Sequence, residues 1–350
     1  MNAPKPPSLS EEVQRELCRA AAEIREAEPW KFLGDTELLG IEKPESGGIG
    51  LVSVLGMGGE VFAVHWHHGE GSLRFWNGLL RGRERVNPEM MLRQIEMVEC
   101  QFVGASEADP VDRERWRTFG PAGRKRKSVP MFRSYRPGFF PWHVEEAEAR
   151  ELVRVMDLLL EFWPEVKGWW EREAGKVGKA NRPAIPVLRR TAQADGWGLD
   201  SGRLPEPDPL PVPTEPEEDG FTFRLAGLPC LPEVWEIGSM WLSRAVSDGG
   251  RPYFPKLALC ISVESQALSS PEMYGGTGED GFAGDQEALR TVFERFAQVN
   301  GGIPEVLRVG SDQAEGAFLS LARAAGMKVV RDRMEELPAV FASFAAMEGP

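Results

Sequence analysis

Two groups of side chains in this sequence have the types and spacing of metal ligands. His65 and His67 stand two residues apart in AVHWHHGE. On a β-strand that spacing turns both imidazoles to one face, where they can offer two nitrogens to one ion, with Glu60, Glu70 or His143 as further ligands. No second histidine cluster accompanies them, so the pair is half a site. Beside a strand end at Gly69, such rings ordinarily pack across strands or face water. The second group is acidic: Glu264 leaves the apolar run PKLALCISVES, Glu287 opens a helix, Asp312 follows VLRV, and Glu335 opens the last helix. Converged carboxylates of this kind hold two divalent ions roughly 4 Å apart and activate water against a phosphodiester. The plainer reading is that Glu287, Asp312 and Glu335 answer helix dipoles.

Other motifs carry less chemistry. The basic run Arg124 to Lys127, with Arg113, Arg115 and Arg117 nearby, has Trp116 and Phe119 interleaved as in single-strand-binding surfaces, but no nucleic-acid-binding motif accompanies it. GGTGEDG lacks the Lys-Ser/Thr of a P-loop, and its Glu279 and Asp280 repel phosphate. Phe140 and Trp142 in RPGFFPWH are candidates for a ligand or partner groove, the alternative being a rigid corner packed on the core.

A length of 350 residues is enough for two domains with separate cores. The net charge of −13 disfavours nucleic acid and anionic membranes as constitutive partners. No apolar run approaches the roughly 18 residues of a membrane span, and the proline-rich, then acidic start is not a secretory signal, so a cytoplasmic protein is expected. Cys18, Cys100, Cys230 and Cys260 are too scattered for a metal knuckle and read as buried or incidental thiols.

The spacing predicts a first helix over 8–28, capped by Ser8 with Glu11 and ended by Pro29. Four β-rich runs between Trp30 and Leu80, the last being SLRFWNGLL, predict an antiparallel meander. A short helix over 88–98 and a strand near Cys100 follow, then a polar connection and a strong helix through Leu152, Val155 and Leu159 that Pro164 stops. AIPVLRRTAQADGWGLDSGRL reads as two strands. The acidic, proline-rich stretch 204–219 is the expected linker between an α+β domain, 1–203, with an antiparallel sheet and a smaller α/β domain, 220–350, with a mixed sheet. In the second domain FTFRLAGLP, VWEIGSMWL and PKLALCISVES read as strands. PEVLRVGSDQAEGAFLSLARAAGMKVV is a strand, helix, strand unit, with Ser311 as N-cap, Gly326 as stop and parallel strands.

The element order of the second domain resembles the ribonuclease H-like fold, whose nucleases and transposases hold two metals on acidic residues; Glu264, Glu287, Asp312 and Glu335 or Glu336 are the positions that this resemblance marks. The chain as a whole resembles a bacterial two-domain family of unassigned function. WKFLGDTELLGIEKP, LVSVLGMGGEVFAVHWHHGEGSL and FRSYRPGFFPWHVEEAEAR carry the likeness in the first domain, and VWEIGSMWL, PKLALCISVES, GGIPEVLRVGS and LARAAGMKVV in the second. That resemblance implies the two-domain division and no activity or cofactor. Where related sequences have tyrosine and glycine after the apolar strand, this one has the histidine cluster. The expectation is a binding or interaction protein with a protein or small-molecule partner. The alternative is a metal-dependent phosphodiesterase or nuclease using the carboxylates of the second domain.

Overall fold

A computed structural model describes residues 4–43, 47–81, 95–121, 128–173, 184–191, 196–208, 220–275 and 281–348. The basic run 124–127, residues 88–94 of the expected helix, the linker residues 209–219 and the loop residues 276–280 lie outside these. The chain divides into two compact units, 5–137 with 141–208, and 209–350 with 138–140.

The first unit is built on an eight-stranded sheet: β1 Leu39–Glu42, β2 Ile49–Leu55, β3 Phe62–His67, β4 Met97–Gly104, β5 Ser128–Tyr135, β6 Trp142–His143, β7 Ala184–Arg190 and β8 Trp197–Arg203. They lie in the order β6-β5-β4-β3-β2-β1-β7-β8. All neighbours are antiparallel except β1 and β7, which run parallel. The parallel pair follows from the helix between β6 and β7, α4, Glu146–Glu173. At 1.5 Å per residue it is ~42 Å long, enough to carry the chain across the six inter-strand steps, ~29 Å, from one side of the sheet to the other. It continues through Pro164, which is exposed, at the cost of the one helical hydrogen bond that proline cannot donate.

The first helix, α1, is Glu11–Ala27, with Ser10 rather than Ser8 as N-cap; its side chain accepts from Val13 N. Leu17 and Ile24 of α1 join Leu152, Val155 and Leu159 of α4 in one core with Val52, Val64, Trp66 and Val98 of the sheet. SLRFWNGLL is not a strand but most of helix α2, Glu70–Leu80. Its aromatic residues suggest β-structure, yet Leu73, Trp76 and Asn77 are buried at helical spacing. The expected polar connection contains a further helix, α3, Pro110–Phe119. Residues 204–208, expected in the linker, are tied to α2: Asn77 Nδ2 donates to Pro205 O at 2.8 Å, and Asp208 N donates to Glu70 at 2.7 Å.

The second unit has strands β9 Cys230–Trp241, β10 Pro255–Ser262, β11 Glu272–Gly275, β12 Ile303–Val309 and β13 Lys328–Arg331, and helices α5 Gly220–Leu225, α6 Gly281–Asn300, α7 Asp312–Ala325 and α8 Leu337–Glu348. The order is β11-β10-β9-β12-β13, antiparallel through β9 and parallel beyond it. FTFRL is helical, not a strand, because Phe221 and Leu225, four residues apart, both enter the core while Phe223 is left 88% exposed. Gly138 and Phe140 pair with this unit: Phe140 N donates to Pro252 O, and Phe254 N donates to Gly138 O, both at 2.9 Å.

One buried carboxylate fixes the far face of this sheet. Glu236 on β9 has no exposed surface. It accepts from the backbone N–H groups of Glu335, Glu336 and Leu337 at 2.8, 2.9 and 2.9 Å, and from Arg308 Nη1 at 3.3 Å. A strand residue thus caps α8, satisfying N–H groups that a helix start leaves free. Leu337 is then set among Leu257, Leu259 and Ile261. All four cysteines are free thiols, three of them buried and Cys230 exposed. Among the described residues no helix is long and apolar enough to cross a membrane. Glu236→Ala leaves these donors unanswered in a buried place, so a loss of about 3 kcal/mol or more is expected in urea unfolding, with amide exchange of 337–348 rising first. Unchanged stability would contradict the capping role.

Candidate metal centre

Polar residues come into register across five adjacent strands of the first unit. Ser53 lies opposite His65, His65 opposite Glu99, Glu99 opposite Arg133, and Arg133 opposite His143. Directly opposed residues project from the same face, so one polar row crosses from β2 to β6. His65 Nε2 is 2.9 Å from Glu99 Oε1, and Tyr135 OH donates to Glu99 Oε2 at 2.8 Å. His67 Nε2 pairs with Ser53 Oγ at 3.0 Å. His65, His67 and Glu99 are all buried. Burial alone raises the Glu99 pKa, but the bonds from His65 and Tyr135 and the charge of Arg133 outweigh it and leave the carboxyl below its ordinary value. Burial, then the neighbouring His65, pushes His67 well below 6.5, so it is a neutral imidazole. Its Nδ1 and Trp76 Nε1 are buried without a hydrogen-bond partner.

At the β6 end of this row stands a second cluster. The sequence Asp109-Pro110-Val111-Asp112 starts α3: Asp109 is its N-cap, accepting from Val111 N at 2.8 Å, and Pro110 takes the first helical position. Asp112, three residues on, is turned into the protein with no exposed side-chain surface. His143 is placed by its pairing with Arg133 on β5. One ligand atom from each of Asp109, Asp112 and His143 lies within 4.8 Å of the others, and no other such group occurs among the described residues. Ligands bound at about 2.1 Å in a tetrahedron stand roughly 3.4 Å apart, so this set needs a modest contraction to close on an ion.

Two arginines share the cluster. Arg115 Nη1 donates to Asp112 Oδ1 at 2.8 Å. Arg133 Nη1 is 2.7 Å from Asp112 Oδ2, an ion pair whose angle is outside hydrogen-bond geometry, so Oδ2 accepts no hydrogen bond. Arg133 also reaches His143 Nδ1 at 3.5 Å and Asp109 Oδ2 at 4.0 Å. Two carboxylates and two guanidinium groups balance. Burial, then Arg133, lowers the His143 pKa and favours the neutral imidazole that ligates metals.

The other candidate residues are dispersed. His143 is three strand steps from His65, about 14 Å across the sheet, which takes it out of any shared site with that histidine. Glu60 is exposed, and Glu70 holds Asp208 N. Arg115 is buried against Asp112, and Arg117 pairs with Glu114, so neither extends a basic surface. Phe140 is 42% exposed, its ring 5.8 Å from that of Phe254, and Trp142 stands edge-on to His143 at 5.1 Å.

Glu264 follows the end of β10, antiparallel to β9, and binds Val234 N, whereas Asp312 follows the end of β12, a strand parallel to β9. They therefore lie at opposite ends of the sheet, on either side of β9. Glu287 is exposed, and Glu335 contributes its backbone N–H to Glu236. A cleft of about 190 Å³ at the carboxyl ends of β9 and β12 is lined by Gly238, Ser239, Asp285, Gln286, Gly310 and Ser311 among others. Asp285 is held there by Lys256 at 2.6 and 2.8 Å, and beside the cleft Asp312 pairs with Arg331.

Asp109 and Asp112 escape a reading that begins from histidine spacing and acidic helix starts. Their signal is Asp-Pro at a helix N-terminus with a second Asp one turn on. Nothing local links them to His143.

Residues 15–177 match a family model described as Domain of unknown function (DUF7309), and residues 223–345 match a second, Domain of unknown function (DUF6930). Asp109, Asp112 and His143 all fall within the first. That match ends before β7, the strand that pairs with β1. Neither the curated proteins nor the solved structures gave a match.

Native His67 resists protonation until well below 6.5, whereas the unfolded chain takes up that proton near 6.5. Unfolding therefore binds a proton in that window, and stability, full above pH 6.5, falls as the pH drops by up to about 1.4 kcal/mol per unit for each such group. His68 and His143 are lowered too and add to the slope. Urea unfolding between pH 7.5 and 5.5 is expected to show this decline, and His67→Leu to flatten it by about one proton. An equal slope in the variant would contradict a neutral buried His67.

Proposed function

We propose that this chain is a divalent-metal-binding protein and that Asp109, Asp112 and His143 of the first domain are its ligands. The observation that carries this reading is a fully buried carboxylate with a second carboxylate and an imidazole close enough for one ion. Two carboxylates and an imidazole suit Mn²⁺, Fe²⁺ or Zn²⁺. An ion held by these three residues would supply Lewis acidity, the chemistry that metal-dependent hydrolysis of a phosphoester needs. Metal-dependent hydrolysis is thus the activity that we favour over binding alone, with the first domain as its seat.

The second domain offers a different reading. Its strand order is compatible with a ribonuclease H-like arrangement. Against metal chemistry there, Glu264 and Asp312 are at opposite ends of the sheet and cannot share an ion. Fold analogy does not carry function without such a site. Phe140, 42% exposed, is the aromatic that we propose for contact with a protein or small-molecule partner, and the cytoplasm is the compartment that we expect.

An ion that binds only the native protein raises its unfolding midpoint; at 100 times Kd the gain is about 2.7 kcal/mol, several degrees for a domain of this size. Thermal unfolding with Mn²⁺ or Zn²⁺ is expected to show this shift. Asp109→Asn should reduce metal affinity at least tenfold without unfolding the protein, because asparagine is as good an N-cap as aspartate. No shift in the natural chain, or the same shift in Asp109→Asn, would overturn the assignment.

A further inference from the structure

We propose that Arg133 is a built-in competitor for the metal: its guanidinium occupies the cation position of the Asp109, Asp112 and His143 centre, and an ion binds by expelling it toward Glu99. This rests on the metal reading above and adds its regulation. Among the described residues Arg133 alone reaches all three ligand residues, at 2.7 Å from Asp112, 3.5 Å from His143 and 4.0 Å from Asp109. A guanidinium and a divalent ion compete for the same oxygen lone pairs, and a buried carboxylate must have one or the other.

The two arginines on Asp112 differ in a way that suits them to different tasks. Arg115 makes a well-directed hydrogen bond to Oδ1 from the same helix, three residues on, and is buried over the Phe132 ring. It anchors the carboxylate whichever cation faces Oδ2. Arg133 meets Oδ2 off-angle and, besides the centre itself, bonds to Phe132 O at 2.8 Å and Met131 Sδ at 3.8 Å.

A displaced Arg133 also has a place to go. Glu99 is its register partner on β4, and directly opposed side chains have Cβ atoms only about 5 Å apart. Glu99 already takes His65 and Tyr135 and feels the Arg133 charge. A rotamer change would move the guanidinium from Asp112 to Glu99, keeping it paired and linking the metal centre to the histidine end of the row.

The test is metal titration of the full chain by calorimetry with Mn²⁺ and Zn²⁺, comparing the natural protein, Arg133→Met and Arg115→Met. Arg133→Met removes the competing guanidinium while keeping an unbranched apolar stem, and is expected to bind at least tenfold more tightly. Arg115→Met removes the same charge from the same carboxylate but also its anchor, and is expected to bind no more tightly than the natural chain. Should Arg133→Met fail to fold, Arg133→Lys gives the reading, since one ammonium cannot span all three ligands and affinity should again rise. Equal affinity of the Arg133 variants and the natural chain, or equal tightening by both methionine variants, would overturn the competition and leave the metal site standing. Absence of binding by every protein would overturn the metal site itself.

Discussion

Asp112 carries its charge where no solvent reaches it, and much of its surroundings exists to answer that charge. A carboxylate moved out of water loses several kcal/mol of solvation unless cations or directed donors replace the water. Here Arg115 comes from the same helix and Arg133 from the sheet, while His143 and the like-charged Asp109 stand close by. Arg133 in turn lies opposite Glu99, which is satisfied by His65 and Tyr135. The polar row is therefore a single electrostatic unit laid across the sheet, whose opposite face packs against α1 and α4.

The two domains use a buried carboxylate in opposite ways. Glu236 accepts from three backbone N–H groups and one arginine, so its capacity is spent on fixing α8. Asp112 has one oxygen well bonded and the other held only by an off-angle ion pair. A saturated carboxylate is structural. An under-saturated one beside another carboxylate and a neutral imidazole is where an ion can enter, which is why the account rests on the first domain and not on the more acidic helix starts of the second.

Much of the framework was legible in the residues. Ser311 and Gly326 bound their helix as capping chemistry requires, Gly326 in the left-handed region at φ 73°, and the strands on either side are parallel. Two segments rich in Phe and Trp, SLRFWNGLL and FTFRL, were read as strands from composition, while the spacing of Leu73 and Trp76, and of Phe221 and Leu225, made them helical. Local rules also placed Pro164 as a stop, whereas the helix runs on through it at an exposed position. The candidate site was harder to see because its parts obey no common local rule: Asp109 and Asp112 belong to a helix start, whereas Arg133 and His143 meet through strand register. The histidine pair was visible, and the structure gives it partners in Glu99 and Ser53.

The most direct measurement is a crystal structure of the protein grown with Mn²⁺, read by anomalous scattering. A peak is expected about 2.2 Å from an oxygen of Asp109, an oxygen of Asp112 and a ring nitrogen of His143, with Arg133 turned away from Asp112. A well-ordered Asp112 still paired with Arg133, and no peak between the three side chains at saturating metal, would contradict it.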